Sequence, residues 1–423
     1  MTTILHTLRD SFTPLRLPNL RTYLSGQVIS LLGTWMQITA QGWLVWKLTE
    51  SKVALGVASM LGTLPLLLFG LFAGVWVDRL DRRKILIGSQ ISAMILAFIL
   101  AALVATGVVQ LWHVYALSFL LGCVMAFDFP AQQAFLGDLS GMGEVRKAVV
   151  VNAMIVQVAR MLGPALAGFV IDSIGVAIAF LLNGLSFIAV LVSLFIVRTQ
   201  QQRSPHTGNP VQAVIDGLRF IKSQRRIQDI ILYAVLVVFF GITLLNFFPA
   251  LADDVLHGDA QTLGLLLASS GAGALIGATI VAPLAQRARR TGLMMGMGVI
   301  WSGLWWTLAS QSRSIPLSML LIFLGSWGVP AVLTTANGLL QVMAPPLMRG
   351  RLLAAYIIVS FGIQPISAAV IGVVAQAVGI ATAMLLCGLA LIFSAGLMLT
   401  FRSGLRTWAA PHASEPAVGH ESL

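Results

Sequence analysis

Between residues 22 and 400 the chain alternates long apolar runs with short polar turns. A helix needs roughly 20 apolar residues to cross a hydrocarbon core of about 30 Å. Twelve runs qualify, at 22-46, 54-77, 85-106, 111-136, 148-171, 175-197, 229-251, 260-283, 292-310, 316-343, 351-375 and 378-400. The pattern therefore predicts an all-α polytopic membrane protein with 12 transmembrane helices. Gly and Pro interrupt the runs at 260-283 and 351-375 most, so those helices are expected to bend.

The most polar internal stretch, RTQQQRSPHTGNPVQAVIDGLRFIKSQRR, divides the spans six and six. The expected organisation is an N-terminal segment at 1-21, a six-helix bundle at 22-197, a linker at 198-228, a second bundle at 229-400 and a disordered tail at 401-423. Within the linker, Pro205, Gly208 and Pro210 favour a flexible start. Val214, Leu218 and Ile221 then fall on one side of a short surface helix.

The halves echo each other. A stretch beginning PAQQAF at Pro130 has a counterpart beginning PAVLTT at Pro330; each runs through a basic turn into a Gly- and Pro-interrupted span. GLFAGVWVDRLDRR at 70-83 likewise faces GALIGATIVAPLAQRARR at 273-290. Duplicated six-span halves imply a transporter whose substrate site lies between them near mid-membrane.

Hydrophobic residues make up 58% of the chain and charged residues 10%, against about a quarter charged in soluble domains. The net charge of +11 need not imply nucleic acid, because its distribution is one-sided. Turns on one side of the predicted membrane, with both termini, hold 22 of the 26 basic residues; Lys47, Lys52 and Arg313 lie opposite and Arg160 lies within a span. By the positive-inside rule this places both termini in the cytoplasm. No cleavable leader is expected, and Cys123 and Cys387 lie in spans, where no disulfide framework is suggested.

One turn concentrates charge: GVWVDRLDRRK at 74-84 has six ionisable side chains in seven positions. Gly74, Asp78 and Arg82 are four residues apart and would share a face if one helix continued through them. A carboxylate there could pair with basic side chains in one state and part in another; the alternative is that the basic residues merely enforce topology.

The pattern G-x-x-x-D-R-x-x-R-R-K resembles the signature turn of the major facilitator superfamily, and the six-plus-six layout agrees over residues 15-400. LPNLRTYLSGQVISLLGTWMQITAQGWLVWKLTES, FPAQQAF and LGPALAG at 162-168 are similar to segments of its bacterial drug and siderophore efflux branch, which includes macrolide-type and enterobactin-type exporters. The resemblance implies a major facilitator fold of two pseudo-symmetric bundles. It also implies a cytoplasmic gate in which Asp78 pairs with Arg79, Arg82 and Arg83, with Gly74 as the close-packing glycine. Asp81 stands where the superfamily pattern has Gly, and the second-half copy lacks the acid, so the latch is expected to be asymmetric.

Asp128 and Arg160 are the two non-histidine ionisable residues read as lying well inside spans, at depths that permit pairing across adjacent helices. Intramembrane charge is costly and marks a functional candidate. Asp128 is a proton-coupling candidate whose state Arg160 would modulate, with a static pair or a helix latch as the alternative. Gln27, Ser30, Thr34, Gln37 and Gln41 form one polar stripe on the first span. With Tyr233, Thr243, Asn246, Trp327, Thr334, Thr335, Asn337 and Gln341 they are the substrate-cavity candidates, on spans that line the cavity in the family fold. Polar side chains also join helices. Gly163, Pro164, Gly168, Gly362 and Pro365 suggest close packing and bending, and Trp46, near a span end, an interface anchor.

No HExxH or GxxxxGK[ST] is present, so metal catalysis and ATP-driven transport by this chain lack a motif. No enzyme activity, metal or cofactor is expected. The expectation is a monomeric secondary exporter in the bacterial inner membrane, surrounded by lipid and using protons as coupling ions. It would carry small amphiphilic compounds, drug- or siderophore-like, by alternating access. A lipid or lysophospholipid transporter is one alternative, and a non-transporting sensor or structural protein is another.

Overall fold

The computed structural model describes residues 13–197, 210–288, 290–345 and 348–402. The expected disordered tail and the flexible start of the linker lie outside the described residues. Eleven described helices are long and apolar enough to cross a membrane. The first long helix, α1 (Pro18–Thr49), has the length, at 32 residues, but its Gln, Ser and Thr stripe leaves it more polar than the others. The long helices described are thus eleven apolar ones plus this one.

The first half continues with α2 (Lys52–Arg79), α3 (Arg82–Ala105), α4 (Leu111–Gly141), α5 (Lys147–Ser173) and α6 (Val176–Ile196). α4 and α5 run together but for Gly141, whose φ of 68° and ψ of 165° break the helix, a backbone conformation that glycine adopts without steric cost. The second half comprises α8 (Arg225–Val255), α9 (Ala260–Gln286), α10 (Thr291–Gln311), α11 (Ile315–Met343), α12 (Arg349–Val378) and α13 (Ile380–Phe401). Its helices are less regular. α8 contains two wide turns, Val238–Ile242 and Leu251–Val255, around a tight one at Thr243–Phe247. Wide turns of this kind cluster at functional sites. α12 bends where Gly362 ends one segment and Pro365 starts the next.

Between the halves lies α7 (Pro210–Ser223). Its buried side is corrected: Val214 is buried, Ile221 is half-buried, and Leu218 is exposed. Gly217 takes the contact expected of Leu218, because α12 approaches so closely that an added Cβ would lie 2.3 Å from the Arg351 carbonyl oxygen. Asp216 then pairs with Arg351 at 2.9 Å.

The halves meet unevenly. One buried core runs through both, joining Trp43, Leu44 and Trp46 of α1 to Phe247, Leu251 and Val255 of α8. A second core, with Leu20, Tyr23, Leu86, Phe135 and Leu194, belongs to the first half alone, near its basic turns. The assembly is therefore sealed on the side poor in basic residues and separated toward the basic side.

Candidate functional site

The seal is polar as well as apolar. Trp46 donates its indole N–H to Asp253 at 2.8 Å, and Lys47 pairs with the same carboxylate at 3.0 Å. Lys52 pairs with Asp254 at 2.5 Å, and its backbone N–H donates to Gln376 at 2.8 Å. Deeper in, Asn246 donates to the Ser59 hydroxyl at 2.8 Å. The wide turn Leu251–Val255 places successive carboxylates against the first half. Trp46 is thus corrected from a membrane-interface anchor to a buried latch residue, 1% exposed. Asp253 and Asp254 escaped the sequence reading because the seventh run was ended at 251; two acids on the side bearing Lys47 and Lys52 were the available signal.

Small residues let the backbones close below this latch. An added Cβ at Gly168 would lie 2.7 Å from the Ala260 carbonyl oxygen, and one at Gly264 2.5 Å from that of Pro164. Gly163 meets α1, where a Cβ would sit 2.5 Å from that of Trp35. At Gly362 an added Cβ would be 2.3 Å from the Ile358 carbonyl oxygen and 2.7 Å from Leu67 across the interface.

In the basic turn the geometry differs from expectation. α2 ends at Arg79, Leu80 is extended, and α3 begins at Arg82. Asp81 causes this break by accepting from the Lys84 N–H as the N-cap of α3. Gly74, Asp78 and Arg82 are therefore not on one continuous helix face. The side chain of Asp78 lies outside the described residues, and Arg79 is exposed. Gly74 is corrected as well: a Cβ there meets nothing within 4 Å, so the glycine is not at a close contact in this conformation. Arg82 is buried and pairs with Asp138 of α4 at 2.7 Å. Arg83 donates to the carbonyls of Leu194 and Phe195 at 2.7 and 2.9 Å, satisfying acceptors at the C-terminus of α6. In this conformation both arginines brace the first half internally.

Asp138 was missed because α4 runs on to Gly141, five residues past the apolar run. It joins Asp229, Asp253 and Asp254 as acids near the ends of helical spans, whereas Asp128 and Arg160 stand well inside theirs. Asp229 is buried and paired with Arg402.

Asp128 and Arg160 do not pair. Each stands 13 residues from the hairpin end of its helix, Gly141 or Lys147, roughly 20 Å along it, but they point to different neighbours. Asp128, 2% exposed, accepts from Ser89 and Gln132 and from Gln90 at 2.9 Å. Gln132 in turn accepts from Gln27 of α1 at 2.9 Å. This network joins α1, α3 and α4 through neutral donors, and Gln27 and Gln90 each keep a buried amide oxygen without a partner. Gln132, four residues after Asp128, was legible at helical spacing; Ser89 and Gln90 required the packing of α3.

The polar stripe of α1 largely serves such joints. Gln41 donates to Ser118 of α4 at 2.8 Å and Gln37 accepts from Asn183 of α6. Ser30 is buried, and the Thr34 hydroxyl turns back to the Ser30 carbonyl. In the second half Tyr233, Thr243 and Thr335 are fully buried, within the bundle rather than on an open wall. Trp327 stacks on Trp301 with ring centres 6.1 Å apart and meets Phe323 edge-on. Thr334 and Gln341 are exposed, Asn337 is half-buried, and Gln341 donates to Asn337; these three share one face of α11.

Arg160 is half-buried and makes no ion pair among the described residues. Its guanidinium carbon lies 5.6 Å from the Trp35 ring centre. A cation over an aromatic face gains about 0.5–2 kcal/mol, against several kcal/mol to withdraw a charge from water. The ring does not offset that cost. No cluster of His, Cys, Asp or Glu suited to a metal occurs among the described residues.

Three kinds of similarity bear on this arrangement. The family model described as transmembrane secretion effector matches residues 9–420. The multidrug efflux pump Tap of Mycolicibacterium fortuitum is 24% identical over 385 residues, 88% of this chain and 93% of its own. The staphyloferrin A transporter of Staphylococcus aureus is 25% identical over 267 residues, 62% of this chain and 66% of its own. In fold, the chain is similar to a bacterial homologue of the human lysosomal transporter Spinster in an inward-facing, occupied conformation. The TM-score is 0.72 at 15% identity, covering 94% of this chain and all of that one.

Proposed function

Since the chain belongs to the transmembrane secretion effector family of major facilitator transporters, we propose that this secondary transporter of small molecules exports amphiphilic compounds by proton-coupled alternating access. The observation that carries the reading is the one-sided seal between the halves. Trp46, Lys47 and Lys52 hold Asp253 and Asp254 on one side while the other side is separated. With the basic turns in the cytoplasm, this is an inward-open state, and breaking the latch opens the chain outward. A relative named as a multidrug efflux pump supports export, and one named as a staphyloferrin A transporter supports a small-molecule cargo.

Asp128 is the coupling group in this reading. Its carboxylate is held by three neutral side chains and by no basic one. On protonation the acid needs an acceptor, and a flip of the Gln90 amide brings its partnerless oxygen to the position the nitrogen now holds. Both proton states can then be satisfied without unfolding the network.

Proteoliposomes containing the purified chain test this. They are challenged with a lipophilic cation, a macrolide, a catecholate siderophore and a lysolipid while internal pH is followed, for wild type and Asp128→Asn. One solute should drive proton movement that the substitution abolishes. Lysolipid transfer without proton flux, unaffected by Asp128→Asn, would replace both export of amphiphilic solutes and the coupling role with lipid transport.

A further inference from the structure

Arg160 lies midway along α5, thirteen residues from each end. At 100° per residue, Val149, Ala153, Arg160, Pro164 and Ala167 share one face of that helix, while Val158, Leu162 and Phe169 occupy the opposite one. The second set is exposed throughout, as a lipid-facing stripe should be. The first changes along its length: Val149 and Ala153 are exposed, Arg160 is half-buried, and Pro164 and Ala167 are buried.

The second half supplies the cover. Gly264 of α9 closes on Gly168, and an added Cβ at Gly271 would lie 2.9 Å from the Arg160 carbonyl oxygen and 2.7 Å from the Met161 Cα. Toward the basic side that cover ends. Arg160 therefore stands where the gap between the halves closes, at mid-membrane, on the face turned away from lipid.

Its electrostatic position is equally specific. The guanidinium carries five N–H donors, and no carboxylate pairs with it among the described residues. Asp128, the acid at matching depth, is occupied by Ser89, Gln90 and Gln132. Trp35 holds its ring against the cation, and the contact of Gly163 with the Trp35 Cβ fixes the root of that ring. A planar cation backed by an aromatic plate and open toward a gap matches a carboxylate, sulfonate or phosphate attached to an apolar body.

We propose that Arg160 and Trp35 form an anion subsite between the halves, so that the transported amphiphile bears an acidic group. The single mid-span cation among the described residues sets the preference at one such group. This deepens the transport reading of the same inter-half site and rests on it for the identity of the ligand as cargo; binding itself requires neither export nor a proton gradient.

The test uses three dansyl probes that differ in charge: dansylglycine, its neutral amide and dansylcadaverine. Binding is measured by fluorescence to the full chain in phosphatidylcholine nanodiscs. Arg160→Gln should weaken dansylglycine at least about tenfold, the scale of one charge-assisted hydrogen bond, without weakening dansylcadaverine, and Arg160→Lys should restore part of the loss. Unchanged dansylglycine affinity in Arg160→Gln, or equal loss of all three probes, would overturn the subsite.

A second measurement needs no variant. Phenylglyoxal modification of Arg160 in the wild-type chain, quantified by peptide mass spectrometry, should be slowed by dansylglycine and not by dansylcadaverine; absence of protection would equally overturn it. Displacement of dansylglycine by lysophosphatidylglycerol, but not by a soluble aliphatic carboxylate, would assign the anionic group to a lipid headgroup. The reverse would assign it to a soluble acid.

Discussion

Trp46 and Asp253 face each other across the two halves, the indole N–H donating to a carboxylate oxygen at 2.8 Å with the tryptophan almost wholly buried. Lys47 reaches the same carboxylate from a half-exposed position. A hydrogen bond to a charged group contributes about 1.5–3 kcal/mol, whereas an exposed ion pair contributes about 0–1 kcal/mol. Replacing Trp46 with Phe should therefore bias the chain outward more than replacing Lys47 with Met. Spin-label distances between the α1 and α8 ends on this side would measure the shift; equal effects would place the latch energy in the exposed charges.

Gly74 and Gly168 should respond oppositely to a methyl group. At Gly168 the added Cβ meets backbone at 2.7 Å, so Gly168→Ala must displace α9 and should destabilise the sealed state and slow transport. At Gly74 the Cβ meets open space, and replacing a mid-helix glycine with alanine gains roughly 0.5–1 kcal/mol. Gly74→Ala should leave thermal stability equal or higher; if transport still falls, Gly74 packs closely in the other conformation.

Arg82 and Asp138 form a buried pair at 2.7 Å, and removing either group breaks it inside the first half. Arg82→Met or Asp138→Asn alone should cost about 3–5 kcal/mol, and the double substitution less than the sum. Thermal unfolding in detergent across the four proteins provides the cycle. Additive losses would mean that the two groups act independently of each other.

Asp81 caps α3 through the Lys84 N–H. Asp81→Ala should cost about 0.5–2 kcal/mol and Asp81→Ser much less, read as a drop in melting temperature. If Asp81→Ser were as damaging as Asp81→Ala, the carboxylate charge rather than the cap would be what this turn requires.

The apolar runs, their six-plus-six division and the basic bias of one side are properties of the sequence alone, because hydrocarbon thickness and backbone hydrogen bonding leave a long apolar segment little choice but to be a helix. The bends at Gly362 and Pro365 and the close contacts of Gly163 and Gly168 were legible for the same local reason, since missing side chains and missing N–H groups act where they stand. Partnership was not. Asp128 and Arg160 match in depth, yet the direction each faces around its helix is fixed by neighbours distant in the chain, α3 for one and α1 with α9 for the other. Asp138, Asp253 and Asp254 lay just past the ends of apolar runs, so only packing could reveal that Arg82, Trp46 and the two lysines reach them. Sequence set which helices exist and which side their charges favour. Tertiary structure decided which charges meet and which one stays without an ionic partner among the described residues, because pairing inside a membrane depends on orientation between helices, which no local pattern encodes.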